Sequence, residues 1–128
     1  GPTTDTLIRA YVDAHDRGDV ATIVSLLAHD IRITMPPEAP CFGVAEAERF
    51  FQQLLGPDGP GVWELAVTRA NDTVAIVNSV RGSGTSVSRP LSIDLLYVRG
   101  GRIYGIHCFI APAQVRSFTE RSGALGQG

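Results

Sequence analysis

The feature that most narrows the fold is a change of hydrophobic period part-way along the chain. Leu7, Ile8, Tyr11, Val12 and His15 fall at i, i+1, i+4, i+5 and i+8, one stripe of a helix over residues 4–17. Gly18 stops that helix, and Asp19 is placed to cap a second one with Val20, Ile23, Val24 and Leu27 as its stripe. Ile31-Arg32-Ile33-Thr34-Met35 alternates like a short strand and ends at Pro36-Pro37. A loop rich in Pro and Gly then carries Cys41 and Phe42. A third helix over 45–55 buries Phe50, Phe51, Leu54 and Leu55, and the Gly/Pro-rich run 56–61 is a loop. After it the pattern is that of sheet. Strands are expected over Val62–Ala70, Thr73–Val80, Val87–Val98 and Arg102–Ile110, separated by turns at Asn71-Asp72, Gly82-Ser83-Gly84 and Gly100-Gly101. Pro90 marks a bulge or an edge near the start of its strand. A short helix over 113–119 and a frayed tail over 120–128 complete the expectation.

Helices first and a hairpin-linked meander afterwards give an α+β domain, a curved antiparallel sheet forming a cone over three N-terminal helices. The 128 residues suit a single domain, expected over 3–119, and Gly1-Pro2 is taken as a tag scar. Charged residues are only 19%, with a net charge of −2, which excludes a basic surface for nucleic acid. No apolar run approaches the roughly 20 residues that span a bilayer, and no signal peptide is visible. Cys41 and Cys108 lack CxxC spacing and are taken as free thiols of a cytoplasmic protein. All eleven cationic side chains are Arg, a compositional hint of an actinobacterial host. The three histidines and two cysteines lack ligand spacing, so neither metal nor other cofactor is implied. No phosphate loop or GxSxG is present either.

Asp94 is the sharpest candidate for chemistry. It interrupts Leu91-Ser92-Ile93-Asp94-Leu95-Leu96-Tyr97-Val98, where a buried carboxylate must be paired, protonated or used. Strand parity leaves open whether it points inward with Leu96 and Val98 or outward. Asn78 is a lone amide on the face of Val74, Ile76 and Val80, where a ligand carbonyl is one possible partner. Tyr11 lies on the apolar stripe of the first helix, either as core or as a hydroxyl donor. In the last strand Tyr104, Ile106, Cys108 and Ile110 share one face, and His107 lies on the other. His15 and His29 sit near helix ends and are expected to be solvated. An apolar pocket is expected, walled by Met35, Phe42, Phe50, Phe51, Trp63, Leu96, Ile106, Cys108 and Ile110.

Several local patterns resemble one superfamily. They are Tyr11-Val12, Arg17-Gly18-Asp19-Val20, Ile93-Asp94-Leu95-Leu96 and Gly101-Arg102-Ile103. Taken in order over residues 6–118, they resemble the SnoaL-like branch of the nuclear-transport-factor-2-like fold, shared with ketosteroid isomerases and limonene epoxide hydrolases. The resemblance implies that Asp94 is an active-site acid, either a general base or a protonated donor, and that Tyr11 is an oxyanion-hole tyrosine. It also turns the Cys108 face toward the pocket. The strand position where the isomerases place their general-base Asp holds Met35, and Cys108 stands where an epoxide-hydrolase acid is expected. The implied function is a cofactor-free small-molecule cyclase or isomerase acting on a polyketide-like or other natural-product intermediate, and a pocket with those walls suits a polycyclic or polyene-derived substrate. A homodimer through the outer sheet face is expected by analogy.

A second resemblance rests on Met35-Pro36-Pro37, Trp63, Thr68-Arg69-Ala70-Asn71 and Phe109-Ile110-Ala111-Pro112. These are similar to the SnoaL-like C-terminal domain of extracytoplasmic-function sigma factors, which implies a non-catalytic ligand-sensing domain as the alternative. No sigma-type DNA-binding region lies within the 128 residues, so a free-standing relative and an excised domain both stay open.

Overall fold

The computed structural model describes residues 2–70, 72–81 and 87–110, apart from the side chains of residues 2 and 70. The element order is α1 (Pro2–Asp16), α2 (Val20–Ser25), β1 (Leu27–Met35), β2 (Glu38–Phe42), α3 (Gly43–Leu55), β3 (Val62–Ala70), β4 (Thr73–Arg81), β5 (Ser88–Arg99) and β6 (Arg102–Phe109). The strands form one open six-stranded sheet in the order β2-β1-β6-β5-β4-β3. The meander β3 to β6 is antiparallel, as its turn spacing predicts. The sheet as a whole is mixed, because β1 lies parallel to β6. The short helix expected over 113–119, the tail and the turn at Gly82-Ser83-Gly84 fall outside the described residues.

The helices gather on one face because each has one apolar stripe to bury. On α1 that stripe is Leu7, Ile8, Tyr11, Ala14 and His15, all buried. Gly18, at φ 66°, ends the helix in the left-handed region. Asp19 then caps α2, accepting from the Thr22 backbone N–H at 3.1 Å and from its hydroxyl at 2.7 Å. The core is closed by Ile23, Phe51, Ile31 and Ile33 against Val74, Ile76, Leu96, Ile103 and Ile106.

Three local expectations change. Leu27 opens β1 instead of closing α2: it pairs with Ile103, and the Ile103 N–H donates to the Leu26 carbonyl at 2.9 Å. An apolar residue at 27 satisfies either period, and pairing decides between them. Residues 38–42 are an edge strand, not a loop, with Cys41 opposite Ile33 and Phe42 opposite Arg32. Pro40 is tolerated there because an edge strand need not donate on both sides. On α3 only Ala47 and Phe51 are fully buried, while Phe50, Leu54 and Leu55 are half-buried.

Bulges bend the sheet. Asn78 pairs with Ser92 but Ser79 with Pro90, so Leu91 is an extra residue on β5. This is the bulge that Pro90 predicts. A second irregularity, between Tyr97 and Val98, lets both Ile103 and Ile106 of β6 reach the core.

Candidate functional site

A partly open cavity lies between α1, α3 and the inner face of the sheet. Its volume is about 40 Å³. Its apolar wall includes Ile33, Met35, Phe50, Phe51, Leu54, Leu91, Ile106 and Ile110, and its polar-bearing wall Tyr11, His15, Trp63, Asn78, Ser92, Asp94 and Cys108.

The sheet supplies the acid. Ser92, Asp94 and Leu96 alternate inward along β5 and are buried, so Asp94 points into the protein. It stands between Ile76 of β4 and Cys108 of β6. Burial pushes its carboxyl above the ordinary carboxylate value, against hydrogen bonds from the Cys108 thiol and the Asn78 amide. Its Oδ1 is buried with no hydrogen-bond partner. Asn78 donates through Nδ2 to Ser92 Oγ at 3.0 Å, and its own Oδ1 is unpartnered. Burial also pushes the Cys108 thiol up, and the nearby Asp94 charge adds to it, so Cys108 stays a neutral thiol at neutral pH.

The helices supply the groups facing the acid. Tyr11 is buried on α1, and its phenol is held well above its ordinary value by burial first and the Asp94 charge second. It is therefore a proton donor and not a phenolate. One turn later His15 is only 2% exposed. Its ring makes edge contacts with Tyr11, Phe51 and Trp63 at centroid distances of 5.8, 6.4 and 5.5 Å. Burial lowers its pKa to about 4, so the imidazole is neutral at physiological pH. His15 Nδ1 and Trp63 Nε1 are also buried without partners. A buried polar group left unmatched costs about 1–3 kcal/mol. Four such atoms, from Asp94, Asn78, His15 and Trp63, belong to residues that line this cavity.

The SnoaL-like domain family matches residues 8–106. The chain belongs to the SnoaL-like family. No curated protein matches the sequence. Among solved structures, the SnoaL-like chain is similar to a proposed ketosteroid isomerase from Kribbella flavida, at 25% identity and TM-score 0.65, over 86% of this chain and 78% of that one. It is similar in fold to a proposed polyketide cyclase from Xanthomonas campestris pv. campestris, at 19% identity and TM-score 0.62, over 89% and 97% of the two chains. A de novo designed protein with a curved β-sheet shares the fold at TM-score 0.69 and 17% identity, over 93% and 96%.

Of the residues singled out in the sequence, the SnoaL-like fold brings Tyr11, Met35, Phe50, Phe51, Trp63, Asn78, Asp94, Ile106, Cys108 and Ile110 to the cavity. Two others lie elsewhere. Phe42 is 56% exposed, because β2 sets it opposite Arg32, whose guanidinium lies 5.4 Å from the ring centroid. Leu96 lies further along β5, paired with Val74 and Ile106 and sealed in the core.

His15 is the main correction: it is buried, not solvated, because Phe51 of α3 and Trp63 of β3 cover it. Its place at i+8 on the apolar stripe was the available signal. Ser92 shares the parity of Asp94 and was legible in the same way. Leu91 was not, since only the bulge turns it toward the cavity. His107 lies off this cavity, with its Nδ1 against the Thr34 hydroxyl and its ring edge-on to Phe109. Cys41 and Cys108 are free thiols. Among the described residues no group of three His, Cys, Asp or Glu side chains is placed to hold a metal ion. None of the described helices is long and apolar enough to cross a membrane.

Proposed function

We propose that the chain is a cofactor-free acid–base catalyst of the isomerase or cyclase type, acting on a small, mostly apolar carbonyl compound. The observation that carries this reading is the Asp94 carboxyl, 7% exposed, pushed toward its neutral form with Oδ1 unpartnered, beside the un-ionised Tyr11 phenol. With its carboxyl protonated, Asp94 would supply a second O–H donor beside Tyr11 at the wall of this apolar cavity, and two such donors suit an oxygen that gains negative charge as a neighbouring C–H bond breaks. Such donors gain strength where water is excluded. The likeness to a proposed ketosteroid isomerase at 25% identity supports the same reading.

The cavity limits the guest. At about 40 Å³ it is well below the roughly 300–1,000 Å³ of drug-sized ligand sites. A compact ketone fits the reading better than a polycyclic one, and a larger substrate requires the half-buried Met35, Phe50 and Leu54 to move aside.

The test is isomerisation and deuterium uptake in D2O by a small β,γ-unsaturated ketone, cyclohex-3-en-1-one, followed by proton NMR and by absorbance of the conjugated enone. Acceleration over buffer is expected, with large losses in Asp94→Ala and Tyr11→Phe. Rates equal to buffer would overturn the proposal. Quenching of Trp63 fluorescence without turnover would favour the ligand-sensing alternative.

A further inference from the structure

Oxyanion donors alone do not move a proton from carbon; a base is also needed. Few groups on the cavity wall qualify. Tyr11 and Cys108 hold their protons, Met35 has only a thioether, and the amide oxygen of Asn78 is not basic. Two groups are left, Asp94 and His15. They enter from different layers, Asp94 from β5 and His15 from α1. Both residues line this cavity, and each carries a buried atom with no partner.

We propose that His15 is the proton-accepting residue of this cavity, taking a proton through Nδ1 from the carbon beside a carbonyl held by Tyr11 and Asp94. This rests on the acid–base function proposed above and assigns its halves, with Asp94 the donor and His15 the base. The geometry supports the division. His15 sits at i+4 from Tyr11, so both project from one face of α1. Its ring is clamped edge-on by Tyr11, Phe51 and Trp63, which holds a lone pair in place without hydrogen-bonding to it. With the ring proton on Nε2, Nδ1 is a free acceptor.

In the forward step the C–H bond breaks, the proton passes to Nδ1, and the electron pair moves to the carbonyl oxygen. That oxygen becomes an enolate bonded by the Asp94 and Tyr11 O–H groups. In the return step the imidazolium, whose N–H exchanges with solvent between the two steps, gives a proton to another carbon of the enolate, and the carbonyl reforms. The two halves leave protein and net charge unchanged, with only the double bond displaced. Opposite displacements of two titratable groups in one site mark such an acid and base: burial raises Asp94 and lowers His15. The groups that bear on His15 are Tyr11 and Asp16 on its own helix and Asp94 and Cys108 across the cavity. Phe51 and Trp63, which pack on it, carry no charge.

The experiment uses cyclohex-3-en-1-one with the intact chain and three variants. His15→Gln keeps the size of the side chain and a polar group but removes the base, so exchange should fall by about 10²–10⁴, the range for a lost general base. Asp94→Asn retains an N–H donor and should lose much less. His15→Ala should regain rate when imidazole is added to the buffer, which a merely structural role would not produce. In the intact chain the rate should fall on the acid side with a midpoint near 4, and His15→Gln should lack that limb. Large loss in Asp94→Asn, with His15→Gln unchanged and no imidazole rescue, would make Asp94 the base and overturn the His15 assignment while leaving the acid–base function standing. An intact chain no faster than buffer would overturn that function and the assignment with it.

Discussion

Burial of a neutral imidazole makes folding depend on pH in a way that one substitution isolates. The pKa of His15 falls from an ordinary 6.5 to about 4 in the folded chain. The folded state therefore binds fewer protons than the unfolded state between those values, and acid favours unfolding. The contribution is fully present above about pH 6.5, declines as the pH drops toward 4, and changes no further below that. One pH unit of separation is worth about 1.4 kcal/mol, so the whole effect is about 3 kcal/mol, most of it lost between pH 6.5 and 4.5. That is a large share of the roughly 5–15 kcal/mol by which domains are stable.

The assay is urea unfolding of the intact chain and of His15→Gln at several pH values, read by the fluorescence of Trp63, the one tryptophan. The difference in unfolding free energy should shift by about 2–3 kcal/mol from pH 7.5 to 4.5, the intact chain losing more. Asp19 and Asp30, both held low by their hydrogen bonds, are common to both chains and cancel. Asp94 acts with the opposite sign. Its raised carboxyl stabilises the fold fully below the ordinary carboxylate value and ceases to do so as the pH rises through the folded value. A difference constant to within about 0.5 kcal/mol across this range would show that His15 is not held neutral, and the reasoning would fail.

Other perturbations follow from the packing. Phe51→Ala removes a ring that packs edge-on to Tyr11, His15 and Phe50, and urea midpoints should report a loss of about 3–5 kcal/mol. Gly61→Ala would set a Cβ 2.6 Å from the Arg81 carbonyl oxygen at a φ of 143°, so thermal melts should show destabilisation of about 1–3 kcal/mol. Phe42→Ala, on the exposed edge strand, should change stability by no more than about 0.5 kcal/mol and leave deuterium exchange into the ketone as it was. Asp94→Asn should stabilise the chain relative to the parent at alkaline pH, where the parent must bury a charge, and equilibrium unfolding at pH 9 checks the sign.

What the sequence determined by itself is what depends on near neighbours along the chain. The 3.6-residue stripe of Leu7, Ile8 and Tyr11, the stops at Gly18 and Gly100-Gly101, and the alternation through β3 to β6 are local patterns, and they specify helices, turns and an antiparallel meander. Asp94 was conspicuous for the same reason, as one carboxylate in an apolar strand. Its direction was not legible, because apolar residues flank it on both parities; the packed helices decided that Ser92, Asp94 and Leu96 face inward. Tertiary structure also decided the parallel seating of β1 on β6 and the strand at 38–42, since pairing partners far apart in sequence leave no periodic trace. The bulge at Leu91 altered which β5 side chains reach the cavity. His15 shows the division most clearly. Its stripe position puts it on the inward face of α1, but desolvation needs Phe51 and Trp63 to arrive from α3 and β3. A side chain's charge state is set by everything that excludes water from it, and most of what surrounds His15 comes from residues distant in the sequence.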